Sequence, residues 1–138
     1  MSDNQSEQFE KIYGIFGVRK QPGTEKGVYF SDVKLIEEHL DNLFGWHQGR
    51  MKLVLGGSHG VELIAEDWAI RNRVEFERVK PITHVEMIDP FGVRNEKIIQ
   101  KSTDIHVFWD GEDTQLGRTL RMACKAQRRI VVIPVSYD

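Results

Sequence analysis

From Lys11 onward, short β-branched or aromatic runs alternate with longer segments whose apolar residues recur at helical spacing. This alternation limits the fold more than any other feature of the chain. Strands separated by whole helices cannot be hairpin partners, so they run parallel and need cover on both sheet faces. The runs IYGIFGV (12–18), KLVL (52–55), ITHVEMI (82–88), DIHVFWD (104–110) and IVVIPV (130–135) read as five strands. The first helix is predicted over 32–44, with Val33, Ile36, Leu40 and Leu43 as its apolar face. A second carries Val61, Ile64, Ala65, Trp68 and Ala69 at i, i+3, i+4, i+7 and i+8. DPFG (89–92) reads as a turn before a short helix RNEKIIQKS, and 115–127 as a last helix with Leu116, Leu120, Ala123 and Cys124 inward.

The predicted fold class is therefore α/β: a three-layer Rossmann-like sandwich with a five-stranded parallel sheet, about four helices and strand order 3-2-1-4-5. A length of 138 residues suits one core, taken as a single domain over 11–138 behind a polar, frayed tail over 1–10.

Charge and cysteine content narrow the function classes. Nineteen Lys and Arg against 21 Asp and Glu give a formal net charge of -2, so no overall basic field favours nucleic acid or anionic lipid, and neither is expected as a partner. One cysteine, Cys124, cannot form an internal disulfide, and MSDNQSEQFE has no apolar core of a signal peptide. A cytoplasmic location is expected. No apolar run approaches the roughly 20 residues that a membrane helix needs.

Ligands of such sheets bind beyond the carboxyl ends of the strands, where strand order reverses. Three loops meet that edge: GVRK at 17–20, GGSHG at 56–60 and DGEDTQ at 110–115. Glycines let a ligand approach backbone amides, and the helix start favours an anion such as phosphate. Candidate ligand-binding residues are Gly17, Arg19, Gly56, Gly57, Ser58, His59, Gly60, Arg94, Asn95, Asp110, Gly111 and Asp113. Arginine suits bidentate contact with phosphate. Each has a plainer reading: glycines for turn geometry alone, Arg94 paired with Asp89 or Glu96, His59 packing locally, Asn95, Asp110 and Asp113 as caps or turn residues. His47, His59, His84 and His106 show no metal-ligand spacing, Cys124 reads as a core residue, and no metal or cofactor is expected. KAQRR (125–129) reads as a solvated helix end favoured by the dipole.

GGSHGVELIAEDWA, RNEKIIQKSTDIHVFWDGED and TLRMACKAQRRIVVIPV resemble the SLOG superfamily, the Rossmann-like domains related to the DNA-processing protein DprA and the LOG phosphoribohydrolases. The nearest likeness is to stand-alone YspA-like proteins, also called DUF2493. Gly17 and Arg19 stand where that group carries a GSR motif. Gly56, Gly57, Ser58 and Gly60 match its glycine-rich loop, with Glu62 where Asp is common. Arg94-Asn95 and Trp109-Asp110-Gly111 match its later motifs. Gln115-Leu116 replaces the family's Gly-Thr pair, and the glutamate on which LOG enzymes rely falls at Arg118 or Thr119.

The resemblance implies a nucleotide pocket. The leading expectation is a binding module for a phosphorylated nucleotide or nucleotide-derived signal, acting as sensor or sequestering protein. The alternatives are a LOG-type nucleoside 5'-monophosphate phosphoribohydrolase, with Glu112, Asp113 or Glu62 standing in as acid or base, and a DprA-like nucleic-acid-associated protein. Whether the chain is an enzyme stays open at this point. Homo-oligomerisation through the Trp46 or Phe91 regions is a further expectation carried by the resemblance.

Overall fold

The computed structural model describes residues 9–20, 29–83 and 89–137. Within them lie five strands, β1 (Lys11–Gly17), β2 (Met51–Leu55), β3 (Glu75–Arg78), β4 (Asp104–Trp109) and β5 (Arg129–Pro134). Four helices connect them: α1 (Val33–His47), α2 (Val61–Arg71), α3 (Pro90–Lys101) and α4 (Thr114–Lys125). All strand pairs are parallel, in the order β3-β2-β1-β4-β5. α1 packs beside α2 and α3 beside α4; right-handed crossovers put the two pairs on opposite faces. The result is the three-layer α/β sandwich that the alternation requires.

β1, β2 and β4 are buried along almost their whole length, as strands covered on both faces must be. Trp68, Phe108, Ile15, Ile36 and Leu40 lie fully inside the core. Trp68 also donates its indole N–H to Asp41 Oδ1 at 2.9 Å, tying α2 to α1. Phe9 packs at the core margin, and residues 1–8 lie outside the described residues. No helix among the described residues is long and apolar enough to cross a membrane.

Three sequence expectations need correction. The third strand is Glu75–Arg78, not 82–88. Residues 82 and 83 are irregular, and 84–88, including His84, lie outside the described residues. β3 is an edge strand, and short, charged segments are what a sheet edge favours, so an apolar run was the wrong signal to follow. Second, DPFG is the first turn of α3: Asp89 caps it, its Oδ1 accepting the Gly92 amide at 2.9 Å, and Pro90 occupies the first turn, where a missing N–H costs nothing. Arg94 thus sits a turn inside the helix. Third, Cys124 is exposed. The buried line of α4 is Leu116, Thr119 and Ala123, a stripe too narrow to include the next residue.

Candidate functional site

At the carboxyl ends of β1 and β2, backbone bonds knit the loops together. The Val18 amide donates to Phe108 O at 3.1 Å, and the Val61 amide, at the start of α2, donates to Val18 O at 3.2 Å. Gly60 makes this approach feasible. Its φ is +88°, and a Cβ there would stand 2.5 Å from the Val18 carbonyl oxygen. Gly56 is required by a different neighbour, since a Cβ would meet the Arg94 guanidinium at 2.5 Å.

The residues brought together around one cleft are Gly17, Arg19, Ser58, Arg94, Asn95 and Asp113 from the predicted set, joined by Glu62, Gln115 and Thr119. It lies where the strand order turns from β1 to β4, the position that open α/β sheets use for ligands. About 50 Å³ of it is open to water, room for a few water molecules at roughly 10–15 Å³ each, or for a phosphate group, but not for a sugar and base.

Arg94 is its central cation. Only 9% exposed, it donates through Nε to Asn95 Oδ1 at 3.0 Å, and no other hydrogen bond reaches it from a described residue. Asn95 in turn donates to Thr119 Oγ1 at 3.4 Å, and Thr119 to the Gln115 carbonyl at 3.1 Å. This chain fixes the guanidinium from behind. Burial pulls the Arg94 pKa down, partly offset by the charge of Glu62, while Arg19 adds a like charge. The terminal nitrogens of Arg94 are therefore a desolvated cation with its donors unspent.

Glu62 changes the expected character of the glycine loop. Its Oε1 accepts the Gly56 amide at 2.8 Å and the Ser58 amide at 3.4 Å. Donors anticipated for a ligand phosphate already hold an internal carboxylate. Glu62 is 5% exposed; burial raises its pKa, opposed by Arg94 and by the loop amides. Two further carboxylates are committed as well. Asp113 Oδ1 caps α4 by accepting the Leu116 amide at 3.0 Å, and Asp110 Oδ1 accepts the amides of Glu112 and Asp113, both at 2.9 Å.

The remaining predicted residues stand apart from the cleft. His59 lies against the Tyr29 ring, centroids 4.7 Å apart. Gly57, at φ +77°, backs onto Arg78, which pairs with Glu66 through Nε at 2.9 Å and through its second nitrogen. Gly111 faces open space. Asp110 borders a second cleft of about 310 Å³, with Lys20, Glu112, Asp113 and Tyr137. The Tyr137 hydroxyl is shared between Asp110 Oδ2 at 3.3 Å and the Lys20 carbonyl at 3.1 Å, and burial with the Asp110 charge pushes its pKa up to about 12. Tyr137 was missed as a site residue because nothing local marks it; it arrives from beyond β5. Of the surfaces expected for self-association, Trp46 is 74% and Phe91 55% exposed.

Residues 27–84 match the family model YAcAr, described as the YspA, cpYpsA-related SLOG family. The match is a likeness over less than half of the chain. Among solved structures, DNA processing protein A from Helicobacter pylori, studied for its single-stranded DNA binding mode, superimposes on this chain with a TM-score of 0.65. It does so at 16% identity, covering 99% of this chain and 71% of that one. No curated protein matches in sequence. The neighbour overturns the expectation that nucleic acid is no partner for a chain of this kind. The reasoning failed because net charge averages over the whole surface, whereas polyanion binding needs only one locally basic face.

Proposed function

We propose that this chain binds a phosphorylated nucleotide or nucleotide-derived signal, as a sensor or sequestering protein. The phosphate lies between Arg94 and Arg19, and the sugar and base extend over the adjoining cleft toward Tyr137. One observation carries the reading: Arg94 is buried, held from behind by Asn95, and has donors left over at a cleft of phosphate size. A desolvated guanidinium gains more from an anion than an exposed one does. The second cleft, about 310 Å³ and sharing Asp113 with the first, has the volume of a small-molecule site. Its carboxylates suit ribose hydroxyls or base amino groups rather than phosphate.

Binding is favoured over N-glycosidic hydrolysis because the carboxylates at hand are engaged: Glu62 by loop amides, Asp113 as a helix cap, Asp110 in its turn. Of the three acid or base candidates, Glu62, Glu112 and Asp113, only Glu112 has no such tie among the described residues, and it lines the second cleft rather than the arginine cleft. The test is calorimetric titration with a panel of nucleoside mono- and diphosphates. Arg94→Ala is expected to weaken the best binder by roughly tenfold or more, the loss of one charge-assisted contact. Unchanged affinity would reject the assignment.

A second reading, a nucleic-acid-associated role, is supported by the likeness to the single-stranded DNA-binding protein above. The same arginine cleft would then take one phosphate of a polynucleotide.

A further inference from the structure

Three concavities run in line along the seam between α3 and α4. The arginine cleft shares Asn95, Gln115 and Thr119 with the next, and that one shares Met122 with a third, of about 320 Å³. The floor of the far part is apolar, built from Ile99, Met122 and Ala126. Along α4, Arg118, Arg121 and Lys125 follow one another at i, i+3 and i+7 and so occupy one side of the helix. Each is exposed, and none has an ion pair or hydrogen bond among the described residues. Lys52, Arg71, Arg78 and Lys101 are paired with acids, whereas these three stand in a row without one. Four acids border the three concavities: Glu62, held by loop amides, Asp113 and Asp89, spent as helix caps, and Glu96.

At the junction with the arginine cleft stands Phe91, largely exposed, with the Arg94 guanidinium 5.5 Å from its ring centroid. An apolar trough with cations on one rim and an exposed aromatic at one end matches what unpaired bases and their phosphates require together. A duplex keeps its bases inside and would leave the trough empty.

We propose that the α3–α4 seam is a track for single-stranded nucleic acid, with phosphates along Arg118, Arg121 and Lys125, bases over Met122 and Ala126, and one base stacked on Phe91. This rests on the nucleic-acid reading above and names its surface. The stripe from Gln115 to Ala126 is about 17 Å long at roughly 1.5 Å per residue, enough for about five stacked nucleotides.

The experiment is fluorescence anisotropy of the full chain with a labelled ten-nucleotide oligothymidylate over a salt series, alongside calorimetry with a mononucleotide. Charge reversal at all three positions (R118E, R121E, K125E) is expected to weaken the oligonucleotide by about 30-fold or more and to flatten the logarithmic salt slope by about 2. Mononucleotide affinity should stay within about twofold. Phe91→Ala should cost the oligonucleotide about fivefold or more without altering the salt slope. Arg94→Ala has the opposite balance, weakening the mononucleotide by about tenfold or more while costing the oligonucleotide only the one phosphate contact that the cleft would supply among several, so failure of the cleft and failure of the track are separable. The track is refuted if the triple variant binds the oligonucleotide like the parent, if the parent does not bind it at low salt, if a duplex of equal length binds as tightly, or if polyglutamate competes equally well, the last pointing to an acidic protein instead.

Discussion

Lowering the pH from 7 toward 4 attacks a pair of histidines packed between β4 and α1. His106 Nδ1 on β4 lies 2.8 Å from His39 Nε2 on α1, one ring donating to the other, so both cannot carry a proton on the facing nitrogens. His106 is 5% exposed. Burial, then the His39 charge, drives its pKa from 6.5 down to about 4, with Asp104 pulling weakly the other way; burial lowers His39 too. Tyr13 faces His106 edge-on, ring centroids 4.7 Å apart, and Phe108 faces His39 at 5.3 Å; Tyr13 also hydrogen-bonds to His47, which meets Glu10. Lys11 pairs with Asp104 nearby.

Because the folded-state pKa lies below the unfolded value, the unfolded chain binds the proton more tightly. The stability is complete above about pH 6.5 and is lost as pH falls toward 4. At about 1.4 kcal/mol per pH unit, His106 alone accounts for about 2 kcal/mol lost by pH 5 and about 3 by pH 4, against total stabilities of roughly 5–15 kcal/mol. Urea unfolding at pH 7, 6, 5 and 4.5 measures this directly. Carboxylates such as Glu77, whose pKa is lowered chiefly by Lys101, add their own acid sensitivity, so the comparison is with a double variant, His39→Leu with His106→Leu. The parent should lose about 2 kcal/mol more than the variant between pH 7 and 5. Parallel pH profiles for the two proteins would show that the pair carries no such linkage.

Two further outcomes follow from the site. Gly60→Ala forces a side chain into the left-handed region and against the Val18 carbonyl; a loss of at least about 2 kcal/mol is expected in urea unfolding, and less than about 0.5 would mean that the loop relaxes freely. Glu62→Gln keeps an acceptor for the Gly56 amide while removing a negative charge beside Arg94. Nucleotide affinity should rise about threefold or more, whereas a tenfold fall in calorimetry would mean that the carboxylate itself touches the ligand.

The alternation of segments determined a good deal by itself. Parallel strands and the helices between them follow from periodicities that each segment carries locally, because burial on two faces selects the same residues wherever the strand sits. The strand order, and with it the gathering of the glycine turns at one edge, is an expectation of the Rossmann-like pattern rather than of periodicity. Arg94 and Asn95 were legible too, since arginine beside a helix start is a local pattern, though their place in α3 was misjudged by a turn. Tertiary structure alone decided the rest. Nothing near GGSHG reveals that Glu62 folds back onto its own loop amides, that Thr119 and Gln115 support Arg94 through Asn95, or that Tyr137 closes the neighbouring cleft. The edge strand Glu75–Arg78 escaped because it lacks the apolar content that marks interior strands. His39 and His106 are 67 residues apart in sequence. Their contact, like the line of clefts between α3 and α4, depends on which faces two elements present after packing, and a periodicity read along one segment contains no information about its partner.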